Sequence, residues 1–196
     1  MRIIFLIIFL NLFSFSTTAQ KVEYLHDSLF VNNYFVDAQI SKFTLDSLLG
    51  LKGKTKSSKS NFMKNPKTGK MVNETAFFYY ELGLFFRKYD HDTSKLSIGI
   101  KLHPYTDKQQ ERQSELKDTF KGQLYIAENF MNDKISIEQL KKLNNCSVTV
   151  TQLSFGSYSS INGGDIIYEQ NMIRLAFDTK TNELKMIFIH HNFKDK

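Results

Sequence analysis

The second half of this chain resembles its first half in sequence. Residues 77–103 align without a gap on residues 165–191 at a constant offset of 88. Average composition gives roughly one or two identities by chance over such a window, but six pairs are identical: Tyr80/Tyr168, Glu81/Glu169, Asp90/Asp178, Thr93/Thr181, Leu96/Leu184 and His103/His191. The pattern predicts two copies of one folding unit, and it constrains architecture more than function, because one fold can host many functions.

Each copy is expected to begin with extended chain followed by one short helix. Residues 28–36 are rich in β-forming side chains around Asn32-Asn33, a pair that tolerates tight hairpin turns. In the first copy Thr44 is expected to cap the helix and Gly50 to end it. In the second, Ser136 and Gln139 have the spacing of a capping box.

Three β-rich segments follow the helix in each copy, and short polar turns separate them. This order predicts an antiparallel meander. Gly83 and Asn171 occupy matching turn positions and are expected to adopt the left-handed conformation. Ile187 and Ile189 make one strand apolar on both faces, which indicates a covered position where the two units meet. The segments are 75–81, 84–89 and 96–102, then 165–169, 172–177 and 184–189.

The predicted fold class is therefore α+β, with two tandem repeats. Each repeat holds a short strand or hairpin, one short helix and a three-stranded antiparallel meander. The first repeat spans residues 28–103 and the second spans residues 122–191, with 104–121 as the linker between them.

The N-terminus has the features of a signal peptide. Arg2 is followed by an apolar run over 3–15 and then by small residues up to Ala19. The run is shorter than the roughly 20 residues of a membrane helix. We expect cleavage after Ala19, export to the periplasm or the exterior, and no transmembrane segment in the mature chain.

The mature chain contains a single cysteine, Cys146, so it cannot form an internal disulfide. Its stability must come from packing, although an exported protein would be permitted disulfides. Cys146 begins a strand-like run and is interpreted as a small, buried hydrophobic residue. A nucleophilic role needs a histidine base, and no histidine is close in sequence.

Positive charge is concentrated in residues 52–70. Without Arg2 the chain has 25 basic and 20 acidic residues, a formal charge of +5; this segment has seven lysines and no acid, so the remainder carries −2. Its composition predicts a flexible surface loop. The loop is either simply solvated or a binding site for phosphate, sulfated sugar or an anionic envelope surface. The lysines are Lys52, Lys54, Lys56, Lys59, Lys64, Lys67 and Lys70.

Aromatic residues are the second group of candidate ligand-binding residues. The chain has 18 Phe, 9 Tyr and no Trp. Residues 77–80 are consecutive aromatics, so two must point to each face of a strand. The face away from the helix is expected to expose an aromatic patch, with Phe78 and Tyr80 as candidate binding residues, unless the other repeat or its loops cover it.

The order of a capped helix ending in Leu49-Gly50, followed by Tyr80-Glu81-Leu82-Gly83-Leu84 inside a meander, resembles a family of uncharacterised exported bacterial domains that often occur in tandem. A helix followed by an antiparallel meander is also similar to the units of the β-lactamase inhibitor protein and of the small outer-membrane assembly lipoprotein. The chain departs from these in having no lipid-attachment cysteine and no tryptophan. The resemblance implies a binding or scaffold module and transfers no catalytic residue.

Two groups of residues are candidates for a chemical site. His190 and His191, with the 90–92 turn, would be a metal site, but adjacent strand residues point to opposite faces. Glu81 and Glu169 would suit glycoside hydrolysis if held about 5 to 10 Å apart, whereas their positions before turns favour backbone hydrogen bonding. No catalytic residue, metal or cofactor is predicted.

Three functions of different classes follow. The first is an exported, non-catalytic module that binds a protein or an anionic envelope polymer, and the second is a structural envelope protein without a discrete ligand. The third is a hydrolase of envelope polysaccharide. Nucleic acid is not expected to be the partner of an exported protein.

Overall fold

A computed structural model describes residues 20–65, 68–90, 92–113, 116–132, 134–155, 158–169, 171–178, 181 and 183–192. The predicted signal peptide, residues 1–19, lies outside this part of the chain. Among the helices that are described, none is both long enough and apolar enough to cross a membrane.

The described chain is mostly β-structure. Its helices are α1 (Lys42–Leu49), α2 (Lys108–Gln113) and α3 (Ile137–Leu140), and a 3₁₀ turn spans Tyr80–Leu82. Its strands are β1 (Lys21–Leu25), β2 (Ser28–Val31), β3 (Tyr34–Val36), β4 (Lys54–Lys64), β5 (Met71–Tyr79), β6 (Leu84–Tyr89), β7 (Asp92–Lys101), β8 (Gln123–Ile126), β9 (Asn129–Met131), β10 (Ser147–Phe155), β11 (Tyr158–Tyr168), β12 (Asn171–Phe177) and β13 (Leu184–Asn192).

These strands form two sheets. The small sheet has the order β3-β2-β1-β8-β9 and is mixed, because β1 pairs with β8 in parallel. The large sheet is antiparallel and has the order β10-β11-β12-β13-β7-β6-β5-β4. The antiparallel pairing expected of the six meander segments is confirmed, and β13, with apolar residues on both faces, joins β7 at the centre.

The main core lies between one face of the large sheet and a layer made of the small sheet, α1 and α3. Leu45 and Leu49 of α1 and Leu140 of α3 are buried in it, as their helical spacing predicts. Tyr24 of β1 packs edge-to-face on Tyr168 of β11, with ring centroids 6.1 Å apart. Strand β1 thereby contacts the C-terminal half in both sheets.

A smaller core covers the opposite face of the large sheet. Leu116, from the segment predicted as a linker, is buried there in one cluster with Phe78 and Phe85, and Tyr105 of the same segment packs against that cluster. Backbone hydrogen bonds fix this segment, including one of 3.1 Å from Asp118 N to Tyr80 O. The described residues of the 104–121 segment therefore pack as a layer of the fold in addition to connecting its halves.

Two of the three expected features of the helix ends are confirmed. Gly50 has φ 64° and ends α1 in the left-handed conformation. Ser136 and Gln139 form the expected capping box of α3. The cap of α1, however, is Ser41 and not Thr44: Ser41 Oγ accepts from Thr44 N at 3.0 Å, because the helix begins three residues earlier than its apolar pattern indicates.

The expected equivalence of the two meander turns is wrong. Gly83 has φ 63°, but the left-handed residue of the second turn is Glu169, with φ 54°, and Asn171 already belongs to β12. Asn171 Nδ2 instead donates to Asp27 Oδ1 in the β1–β2 turn. Asn171 therefore makes a tertiary contact, and its backbone does not adopt the expected left-handed conformation.

The prediction of a flexible loop over residues 52–70 is also wrong. Residues Lys54–Lys64 form β4, which pairs antiparallel with β5. The polar composition of this segment correctly indicated that it contacts solvent. An edge strand, however, contacts solvent as a loop does. Lysines on an edge strand oppose pairing with another chain.

Candidate functional site

Alternation along β4 places two of its lysines beside the predicted aromatic residues. Lys54 pairs with Phe78 and Lys56 with Ala76 across the β4–β5 ladder. Paired residues of antiparallel strands point to the same face of the sheet. The side chains of Lys54 and Lys56 therefore lie on the same face as Phe78 and Tyr80. The structure thus brings four sequence-predicted binding residues together.

The geometry of this group is that of cations over a stacked pair of rings. Phe78 and Tyr80 lie 5.4 Å apart at an interplanar angle of 10°. Lys56 Nζ is 4.7 Å from the Phe78 centroid, and Lys54 Nζ is 5.8 Å from that of Tyr80. Such contacts orient an ammonium group without neutralising it, because the ring carries no formal charge.

A third cation reaches Tyr80 from the layer formed by residues 104–121. Lys117 Nζ lies 6.0 Å from the Tyr80 centroid, and its side chain is exposed. Sequence reasoning missed Lys117 because it lies in the segment interpreted as a linker. We call Lys54, Lys56, Phe78, Tyr80 and Lys117 the cationic aromatic cluster.

The remaining predicted lysines do not join this cluster. Lys59 lies on the opposite face of β4, and Lys70 is at the hairpin tip. Lys52 is exposed just before the strand. For Lys64 only the backbone is described, and Lys67 lies outside the described residues.

An aromatic ladder continues from the cluster across the large sheet. Phe85 lies 5.5 Å from Phe78 and 6.2 Å from Phe188, measured between ring centroids. Its ring lies over Gly99, where a Cβ would approach within 2.1 Å of the ring. Arg87 covers Phe85, with its guanidinium carbon 5.1 Å from the centroid.

The predicted exposed aromatic patch is only partly present on this face. As expected, Phe78 and Tyr80 point away from the main core. Phe78 is nevertheless only 2% exposed, because Leu116 is buried in the same cluster and Lys56 lies over its ring. The surface offered to a ligand is therefore the ammonium groups and the half-buried edge of Tyr80.

A polar group lies further along the same face. Arg87, Ser97 and His190 pair side by side on three adjacent strands. Ser97 Oγ lies 2.9 Å from His190 Nδ1 and 3.3 Å from Tyr89 Oη. Burial lowers the pKa of His190, and the guanidinium groups of Arg174 and Arg87 lower it further, so neutral imidazole is favoured there.

Two lysines inside this face have a structural role. Lys101 and Lys185 are both 0% exposed. Lys101 Nζ pairs with Glu111 of α2 and donates to Leu116 O at 2.6 Å, while Lys185 Nζ donates to Glu183 at 2.6 Å. A buried charge is tolerated when it is paired and hydrogen-bonded, and the Lys101 contacts fasten the 104–121 layer to the sheet.

The carboxylates weighed for glycoside hydrolysis lie far apart. Glu81 precedes β6 and Glu169 precedes β12, and these strands run antiparallel with β7 and β13 between them. The two turns are therefore at opposite ends of the sheet, with about 14 Å of lateral separation alone. This distance excludes them as a catalytic pair, and Glu169 instead lies 3.6 Å from His26 Nδ1.

The histidines and Cys146 are the remaining candidates for a chemical site in the described part of the chain. It contains no group of three or more histidine, cysteine or acidic residues able to hold a metal ion. His91 and the side chain of His191 lie outside that part. Cys146 is half-buried against the main core, and burial raises the pKa of its thiol, which disfavours the nucleophilic thiolate.

The chain was compared with known proteins at three levels. No protein-family model, no curated protein and no solved structure matches it. The resemblance to exported tandem-repeat domains stays a prediction.

Proposed function

We propose that the protein is an exported, non-catalytic binding module that holds an anionic polymer of the cell envelope on its cationic aromatic cluster. The observation that carries this proposal is the approach of three ammonium groups to one ring. Lys54, Lys56 and Lys117 all lie within 6.0 Å of the Tyr80 centroid. They come from two separate segments of the chain.

The contacts favour a ligand with repeated negative charges. Clustered ammonium groups attract a polyanion by releasing its counterions. The half-buried Tyr80 ring adds an apolar surface beside them, as sulfated or phosphorylated sugars require. Lysines on a β-edge also keep the strand from pairing with other chains, so a single arrangement serves both solubility and binding.

Export and duplication are parts of the same proposal. Removal of residues 1–19 would release the chain to the periplasm or the exterior, where such polymers occur.

A duplicated origin is supported by element order, since each half contains a hairpin, a helix and four strands. It is also supported by the large sheet, in which β4–β7 and β10–β13 occupy mirrored positions about the β7–β13 pair.

The test measures binding of fluorescently labelled dextran sulfate by anisotropy at about 50 mM and about 200 mM salt. The triple variant Lys54→Gln/Lys56→Gln/Lys117→Gln is expected to bind at least about tenfold more weakly. The slope of log affinity against log salt should fall by roughly two to three, about one for each lost contact.

The matched control is Lys134→Gln/Lys141→Gln/Lys142→Gln, which removes the same charge from exposed lysines in the other half. It should keep its affinity within about twofold. If both triple variants weaken equally, binding reflects net charge alone and the cluster is not the site. Uncharged dextran should not bind either protein.

A further inference from the structure

The outer face of the small sheet carries a continuous row of side chains across all five strands. Cross-strand pairing joins Phe35 to Phe30, Phe30 to Glu23, Glu23 to Tyr125 and Tyr125 to Phe130. We call these five residues the aromatic row. It belongs to a different sheet from the cationic aromatic cluster and does not depend on it.

The row faces solvent, whereas most of the other face of the same sheet lies in the main core. Val22, Leu29 and Leu124 on the inner face are 0–1% exposed. The two ends of the row, Phe35 and Phe130, are 47% and 49% exposed. Exposed aromatics aligned across a sheet mark an interaction surface more often than isolated ones do.

The row consists of two aromatic pairs with a polar centre. The ring centroids lie 5.9 Å apart in the Phe30–Phe35 pair and 5.4 Å apart in the Tyr125–Phe130 pair. Between them Lys21 Nζ donates to Glu23 at 2.8 Å. Phe30 and Tyr125 are separated by two strand spacings, roughly 10 Å, which is comparable to the length of a disaccharide.

The polar centre determines what kind of partner fits. An apolar protein surface or lipid would bury the Lys21–Glu23 ion pair without replacing its water contacts, which is costly. The pair carries no net charge, so it does not select an ionic ligand either. Hydroxyl groups can both donate to the carboxylate and accept from the ammonium, and sugar rings present C–H faces that stack on aromatics.

We propose that the aromatic row binds a neutral glycan chain of equatorially linked pyranose sugars. One sugar lies against the Phe30–Phe35 pair, and another lies against the Tyr125–Phe130 pair. The hydroxyl groups between them contact Lys21 and Glu23. No bond is made or broken, because the row is a binding platform.

The same aromatic pair occurs in both halves of the sequence at matching positions. Phe30 and Phe35 flank the Asn32-Asn33 turn as Tyr125 and Phe130 flank Ala127-Glu128. This repetition was visible in the sequence.

The experiment is calorimetric titration of the full chain lacking residues 1–19 with cellohexaose and chitohexaose. At least one is expected to bind. Phe35→Ala and Phe130→Ala should each weaken that binding by at least about fivefold, as loss of one stacking contact implies. Phe43→Ala is the matched control, because Phe43 is 84% exposed on α1, outside the row, and it should bind normally.

Substitution of Glu23 distinguishes a glycan from an apolar partner. Glu23→Gln should retain binding within about threefold, because the amide still hydrogen-bonds to hydroxyls, whereas Glu23→Leu should lose it. If neither sugar binds, or if Glu23→Leu leaves sugar binding intact, the proposal is wrong. Self-association of the wild type that is lost in Phe35→Ala and Phe130→Ala, without sugar binding, would instead identify a second copy as the occupant. Dextran sulfate binding should be unchanged in all these variants, which separates this test from that of the cationic aromatic cluster.

Discussion

Two consecutive residues in the β8–β9 turn adopt a conformation that their side chains disfavour. Ala127 and Glu128 have φ angles of 48° and 67°. At the matching β2–β3 turn the same conformation is held by Asn32 and Asn33, which tolerate it better. An L-residue with a Cβ costs about 1 to 2 kcal/mol there.

Glu128→Gly is therefore expected to raise the free energy of unfolding by about 1 kcal/mol, because glycine enters this region without steric cost. Glu128 is exposed, so no packing is lost. The measurement is the urea midpoint at constant m-value. As a control, Glu138→Gly in α3 should lower stability by about 1 kcal/mol. A lowered midpoint for Glu128→Gly would contradict the assigned turn geometry.

His190 should make stability depend on pH. Its pKa is lowered in the folded chain by burial and by Arg174 and Arg87, against a smaller opposing effect of Asp165. The unfolded state therefore binds more protons below the ordinary histidine pKa of about 6.5, and stability falls as pH falls through that value. Ser97 and Tyr89 are neutral neighbours and add no charge.

The measurement compares unfolding of the wild type and His190→Gln between about pH 7.5 and pH 5. Other groups titrate in both proteins, so the difference between the two curves isolates His190. The wild type is expected to lose more stability on acidification than the variant. Parallel curves would show that His190 is not held neutral by its surroundings.

The two edge strands of the large sheet differ in how well they resist pairing with another chain. Edge strand β4 carries lysines, whereas edge strand β10, Ser147–Phe155, has no charged residue and no proline. Uncharged edges rich in β-branched residues promote pairing between chains. Thr149 is exposed on β10, so Thr149→Lys should reduce light scattering on heating without changing the melting temperature by more than about 2 °C.

The reverse substitution on the other edge provides the comparison. Lys54→Thr removes a charge from β4 and should increase scattering, since it weakens the existing protection. If Thr149→Lys scatters as much as the wild type, β10 is not the edge through which chains associate.

The sequence predicted helices and meander strands well because their signals are local. Apolar spacing in α1 and a capping box in α3 depend only on nearby residues. It did not predict β4, because pairing with β5 is a tertiary interaction that overrides the polar composition of residues 52–70. In the candidate site Lys54, Lys56, Phe78 and Tyr80 could be named in advance, but Lys117 could not, since chain folding alone brings it to Tyr80.

At the scale of the whole molecule, β1 connects the two halves. It pairs antiparallel with β2 of the first half and in parallel with β8 of the second. The turn after β1 also contacts the second half, because Tyr168 Oη accepts from His26 N at 3.1 Å. Together with the β7–β13 pair, these contacts make both sheets shared between the halves.

Because both sheets are shared, the halves should unfold together even when β1 is weakened. Tyr24 is fully buried and packs on Tyr168, so Tyr24→Ala should cost about 3 to 5 kcal/mol. Urea unfolding followed by far-UV circular dichroism and by tyrosine fluorescence should still give coincident single transitions. Separate transitions would show that the halves are independent domains. Loss of protection from amide exchange in β6 and in β12 at the same urea concentration would show that the two halves open as one cooperative unit.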